Sequence, residues 1–216
     1  MVTEREHWWL DSEGETIFSE TNPMKLAIFI SGRGSNLQAL IDACARTDFP
    51  AEIVVVASNK AEAGGLAKAK RAGLPQIVVD HKQFDDRTAF EANLLEKITP
   101  YQPDLICLAG FMRLLSSYFV EQWHNKIINI HPSLLPLYKG LDTHARALAD
   151  GAKETGCTVH FVSSEMDSGP IIVQKKVPVF PHDDENSLAE RVLTKEHEAY
   201  PEAVRAIASG DVLNIT

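Results

Sequence analysis

Cysteine is scarce in this chain: Cys44, Cys107 and Cys157 are its only thiols. An odd number, wide spacing and no CxxC pair exclude a disulfide framework and read as reduced thiols of a cytosolic protein. Cys44 and Cys107 fall in apolar patterns, where a thiol packs and does not react. The eight histidines form no HExxH and no His-x3-His pair, so no metal site is expected. No apolar stretch serves as a signal-peptide core or a membrane span. Basic residues are in deficit too: 21 Lys+Arg against 30 Asp+Glu give a formal net charge of -9. That balance argues against nucleic acid or an anionic membrane as the main partner. It leaves a phosphorylated small molecule open, because a few local amides bind one phosphate. What is present is an ordinary globular mix, 44% hydrophobic and 24% charged over 216 residues, long enough to bury a substantial core.

The first stretch, residues 1–23, is acidic and polar, and its strongest apolar feature is Trp8-Trp9 with Leu10 beside it. It is expected to be an extension peripheral to the chemistry, followed by a single domain over residues 24–216. Lys25 to Ile30 reads as a buried strand, and Leu37, Leu40, Ile41 and Cys44 recur at helical spacing after Ser31-Gly32-Arg33-Gly34-Ser35-Asn36. A strand, a glycine-rich turn and a helix make an anion site from free amides and the positive end of the macrodipole. Ser35 or Asn36 is available as the helix cap. A dinucleotide fingerprint would need glycine where Leu37 stands, and an acid near the end of the next strand, which instead finishes in Ser58-Asn59-Lys60. A Walker Lys-Ser/Thr is also missing, so a single phosphate fits better.

Further along, the pattern predicts a helix over Ala61 to Ala72 ending at Gly73, and a strand over Gln76 to Val79. It then predicts a helix over Asp86 to Thr99 with Phe90, Leu94 and Ile98 four apart. Asp104 to Ala109 reads as a strand and Tyr118 to His124 as a short helix. The alternation specifies an α/β fold with a doubly wound, mostly parallel sheet, Rossmann-like in character. After Pro136 the rhythm changes. A loop from Tyr138 to His144 leads to a short helix, Ala145 to Asp150, and to a strand with one wet face, Glu154 to Val162. The turn Ser163 to Pro170 joins that strand to Ile171 to Val179, and the two are expected to pair antiparallel. A long last helix, Ser187 to Ser209, carries a buried stripe of Leu188, Val192, Ala199, Ala203, Val204 and Ile207, with a kink or split expected at Pro201. Glu196 lies on that stripe, and an acid there needs a reason.

The segment Ile127 to Pro136 carries the chemistry in this reading. Asn129 and His131 alternate with Ile128 and Ile130, so a strand turns the polar pair to one side and the isoleucines to the core. An amide donor beside an imidazole suits a developing oxyanion and a travelling proton. Gly110 to Leu115 follows the fourth strand at its carboxyl end, where open α/β sheets place ligands.

Several sparse motifs in one order carry a resemblance: ISGRGSNLQAL, SNK, LAGFMRLL, NIHPSLLP, GCTVHFV, MDSGPII and TKEHEAYP. Over roughly Lys25 to Ala208 the chain resembles the glycinamide ribonucleotide transformylases, a family of folate-dependent formyltransferases. The resemblance implies formyl transfer from 10-formyltetrahydrofolate, as co-substrate and without metal, to the amine of glycinamide ribonucleotide in purine biosynthesis. It implies catalytic roles for Asn129, His131 and Asp167, the last orienting His131 and favouring its imidazolium form. It implies that Gly34, Ser35 and Asn36 hold the substrate phosphate, and that Lys195 and Glu196 serve the same substrate, Glu196 receiving ribose hydroxyls. Around the folate it implies Arg87, Met112, Arg113, Leu114 and Leu115 with Asn129, and a pterin loop of Ser163, Ser164, Glu165, Met166 and Asp167. One departure is Arg33, where the family often carries a small or amide residue. Small molecules are the expected partners, with neither nucleic acid nor membrane, in a cytoplasmic monomer or homodimer. A deformylase-type hydrolase and a non-catalytic nucleotide-sensing module are the competing readings.

Overall fold

Continuous apolar runs become the inner strands of a seven-stranded sheet because both of their faces are covered. A computed structural model describes residues 9, 10, 13, 15–19 and 21–212; Trp8 lies outside the described residues. The elements are β1 (Met24–Ile30), α1 (Ser35–Cys44), β2 (Ala51–Ser58), α2 (Gly64–Arg71), β3 (Gln76–Val78), α3 (Arg87–Ile98) and β4 (Leu105–Leu108). They continue with α4 (Ser117–Gln122), β5 (Ile127–His131), α5 (Thr143–Ala149), β6 (Glu154–Phe161), β7 (Ile171–Pro178) and α6 (Glu185–Ala208). The sheet order is β3-β2-β1-β4-β5-β6-β7, parallel from β3 through β5. β6 runs antiparallel to both β5 and β7.

Period-two alternation divides β1 between two cores. Leu26, Ile28 and Ile30 join the side that carries α1 and α6, while Ala27 and Phe29 join the side that carries α3 and α4. The expected positions on α3, Phe90, Leu94 and Ile98, are all buried in the second core. Fully burying each such side chain stabilises by about 1.5–3 kcal/mol. The reversal of order at β1, between β2 and β4, leaves a crevice at the strands' carboxyl ends, where ligands bind in such sheets.

The structure corrects several expectations. Neither Ser35 nor Asn36 caps α1; Gly34, left-handed at φ 67°, takes that position without a side-chain bond. α2 begins at Gly64, since Ala63 is extended, and α5 begins at Thr143, taking His144 out of the loop. β6 has no wet face: from Thr155 to Phe161 every residue is buried, because α6 covers one side and the loops around Leu135 and Asp167 cover the other. α6 is not split at Pro201. Proline removes one backbone donor there, while Ala199, Tyr200, Ala203 and Val204 bury the helix on both sides of it. The Tyr200 hydroxyl reaches the carbonyls of Leu108 and Ile128 at 3.0 and 3.3 Å, bonding α6 to the last residue of β4 and to Ile128 of β5. Part of the N-terminal extension also packs on the body, with Trp9 fully buried.

Candidate active site

Two neighbouring features form at the carboxyl end of the parallel strands. The first is the turn into α1. At Gly34 a Cβ would stand 2.6 Å from the Gly65 Cα, so the turn needs glycine both for its backbone conformation and for its packing on α2. Ser35 is the first helical residue and Asn36 follows it, buried, so the free amides of this turn open α1. The Asn36 Nδ2 donates to Glu196 Oε2 at 2.7 Å, while Asn36 Oδ1 is buried without a partner. Glu196 reaches the turn from α6. Burial pushes its carboxyl above the usual carboxylate range, and the Asn36 amide partly offsets that. Lys195 points elsewhere: its ammonium pairs with Glu198 at 2.8 and 2.9 Å on the outer face of α6. Arg33 is exposed.

The second feature is a cleft of about 870 Å³ whose walls include Asn129, His131 and Asp167. Strand alternation on β5 works as expected: Ile128 and Ile130 enter the core while Asn129 and His131 face the cleft. Asp167 arrives from the loop between β6 and β7 in a left-handed conformation at φ 51°, which Asp tolerates better than most residues. Its Oδ2 lies 3.4 Å from His131 Nδ1 and accepts the Gly140 N–H at 2.9 Å. The other ring nitrogen of His131, Nε2, lies 2.9 Å from the Tyr138 carbonyl. Both nitrogens thus face oxygen acceptors, which a doubly protonated ring satisfies at once.

A second histidine, missed in the sequence reading, completes the cluster. His160 on β6 pairs directly with Asn129 in the sheet register, and its Nε2 lies 3.4 Å from Asn129 Nδ2 and 3.7 Å from Asp167 Oδ1. Its Nδ1 lies 2.8 Å from the Phe161 carbonyl. Burial lowers its pKa below the ordinary histidine value. A neutral ring carrying its proton on Nδ1 donates to Phe161 and accepts from the Asn129 amide. The signal was available, since His160 and Thr158 alternate on one face of GCTVHFV. His144 and Glu185 also line the cleft, and His144 Nδ1 is buried without a partner.

The remaining predicted residues divide cleanly. Arg87, Met112, Arg113, Leu114 and Leu115 line the cleft, as do Ser163, Ser164 and Met166. Glu165 does not: it is exposed and its carboxylate turns to Lys139 at 3.6 Å. The strip from Met112 to Leu115 is anchored at both ends. Met112 N–H donates to the Ser31 hydroxyl and Ser116 N–H to the buried Glu91 carboxylate, both at 2.7 Å. Ser31 ends the loop side of β1, and its own N–H donates to the Gly110 carbonyl. The glycine turn and the cleft are therefore bonded to each other through one residue. Mostly apolar walls with a few convergent polar groups suit an organic ligand of drug-like size. Neither Cys44 nor Cys157 lines the cleft, and burial raises both thiols to about 12.

Among the described residues no group of three His, Cys, Asp or Glu is placed to hold a metal ion, and no helix is long and apolar enough to cross a membrane. Residues 24–204 match the family model described as Formyl transferase. The chain is 47% identical over 187 residues to the phosphoribosylglycinamide formyltransferase of Escherichia coli (strain K12), covering 87% of this chain and 88% of that protein. It is 51% identical over 193 residues to the trifunctional purine biosynthetic protein adenosine-3 of Gallus gallus, covering 89% of this chain and 19% of that protein. The chain therefore spans under a fifth of the length of that trifunctional relative. The crystal structure of phosphoribosylglycinamide formyltransferase from Brucella melitensis is 52% identical and superposes with a TM-score of 0.84, over 89% of this chain and 99% of that one.

Proposed function

The chain belongs to the formyl transferase family, and on that premise we propose that it is a phosphoribosylglycinamide formyltransferase. It moves the formyl group of 10-formyltetrahydrofolate to the amine of N1-(5-phospho-D-ribosyl)glycinamide in purine (IMP) biosynthesis, in the cytoplasm. The observation that supports this most is the meeting of Asn129, His131 and Asp167 in a cleft bonded to a glycine turn with free helix amides. The turn Gly34-Ser35-Asn36 receives the phosphate dianion. The unpartnered Asn36 Oδ1 and the Glu196 carboxylate accept ribose hydroxyls. The folate lies along Met112 to Leu115 and Arg87, with its pterin under the loop Ser163 to Asp167, Glu165 contributing backbone only.

A neutral amine is already a nucleophile, so no acyl-enzyme is needed. Its nitrogen bonds to the formyl carbon and the carbonyl electrons move to oxygen. Asn129 Nδ2 and a His131 N–H then donate to that oxygen. His131 Nε2 must exchange the Tyr138 carbonyl for the new acceptor, while Asp167 keeps hold of Nδ1. Collapse breaks the bond to the folate nitrogen, and the proton lost by the amine goes to that nitrogen. His160, fixed as a neutral acceptor, points the Asn129 amide.

The test is a formyl-transfer assay with both substrates, on wild type and Asp167→Asn. Transfer by wild type, with turnover about a hundredfold lower in the variant, is expected. Formate release that proceeds equally well without the amine substrate would mean a hydrolase instead.

A further inference from the structure

The N-terminal extension, expected from the sequence to be peripheral to the chemistry, packs on Phe161, the neighbour of His160 in β6. Trp9 is fully buried, and its ring stacks on that of Phe161 with centroids 5.9 Å apart and planes 8° from parallel. Four further contacts hold the segment in place. Leu10 and Thr16 form an antiparallel bridge, and Ile17 N–H donates to the Trp9 carbonyl at 3.0 Å, folding the strap on itself. The Thr16 hydroxyl donates to the Ala208 carbonyl at the end of α6. Phe18 is buried in the same core.

Phe161 is a junction. Its ring receives Trp9 on the α6 side of the sheet, while its main chain serves the opposite side. Its carbonyl accepts from His160 Nδ1 at 2.8 Å, and its N–H donates to the Pro170 carbonyl at 2.9 Å, where the Asp167 loop returns to the sheet. Gly169 of that loop lies so close that a Cβ would stand 1.8 Å from the Phe161 carbonyl oxygen. One residue therefore sets both the imidazole that points Asn129 and the exit of the loop that carries Asp167. The family match begins at residue 24, so Trp9 lies outside the segment that defines the family.

We propose that Trp9 is a positioning residue: the strap braces Phe161 and through it holds His160 and the Asp167 loop in register with Asn129 and His131. The catalytic part of this rests on the formyl-transfer reading above. Removing the indole leaves a cavity into which the Phe161 ring relaxes. A shift of even 1 Å in a catalytic constellation costs up to about a hundredfold in rate.

The experiment uses the full chain and three variants, Trp9→Ala, Trp9→Phe and Thr16→Val. Two readouts are taken well below the melting temperature: kcat and KM for transfer, and the NMR signal of the His160 ring Nδ1–H, which needs no activity. Trp9→Ala is expected to lower kcat about tenfold, leave KM for the folate within about twofold, and shift or lose the ring signal. Trp9→Phe keeps a flat ring on Phe161 and is expected to retain most of kcat. A folded Trp9→Ala with unchanged kcat and ring signal overturns the proposal, whatever happens to its melting temperature. If that variant does not fold, Thr16→Val decides: looser strap, intact kcat and intact signal overturn it equally. A wild type without transfer activity sinks the proposed reaction, and the brace then stands or falls on the ring signal alone.

Discussion

At the turn into α1 the working groups are main-chain amides, fixed by Gly34 and by the packing of α2 against it. At the cleft they are side chains: an amide and an imidazole from β5, a second imidazole from β6, and a carboxylate carried by a loop. The first is set by backbone conformation and has few side chains to lose. The second depends on a chain of contacts in which each group orients the next. Substitutions in the two regions should therefore separate binding from turnover.

The sharpest break is His131→Ala. It removes an oxyanion donor and should lower kcat about a hundredfold to a thousandfold, with folate affinity, measured by titration calorimetry, close to wild type. Equal losses in affinity and turnover would erase the distinction between the regions. Gly34→Ala attacks the other end. A β-carbon 2.6 Å from Gly65 Cα at φ 67° forces the turn open, so KM for the phosphorylated substrate should rise more than about tenfold while kcat at saturation stays within about threefold. Steady-state kinetics with each substrate varied in turn reads both numbers.

Glu196→Gln is subtler. The carboxylate's pKa is raised in the folded chain, so the unfolded chain holds fewer protons between the two pKa values and ionisation there opposes folding. That penalty is fully present above the folded pKa and absent below the unfolded one. The glutamine variant should melt higher than wild type at pH 7, with the gap closing as pH falls through the carboxylate range. KM for the ribosyl substrate should nonetheless rise about fivefold, on loss of a charged acceptor for a hydroxyl. Thermal melts across pH, paired with kinetics, check the two signs. Lys195→Ala should do least: its exposed pair with Glu198 contributes about 0.3 kcal/mol, and KM should change by less than about twofold. A large effect would show that the lysine swings from Glu198 to the substrate.

Much of the chemical end was legible in the sequence. Asn129 and His131 could be assigned a common face because strand side chains alternate, and Glu196 stood out as an acid among residues spaced for burial. Periodicity says which face a residue takes, but not what covers that face. That is why β6 was expected to be half wet and why His160 went unassigned; Lys195 was assigned to the ribosyl substrate through the resemblance, which carries no information on the side chain's turn toward Glu198. The strap was opaque for a related reason: a few polar-flanked aromatics carry no period, and Trp9 finds Phe161 only once residues 152 positions apart are brought together. Loop tips obey the same limit. Glu165 belongs to the stretch that walls the cleft, yet its direction is decided by Lys139, a partner in another loop.

The phenol of Tyr200 bears on how a cylinder can lie on a surface. A 24-residue helix gripping a sheet through smooth apolar contacts has little to resist rolling about its long axis. A hydroxyl wedged between carbonyls of two adjacent strands selects one azimuth. Glu196 stands one turn earlier on the same flank, so the angle chosen by a tyrosine at the sheet is also the angle at which a carboxylate is aimed at the opening of α1.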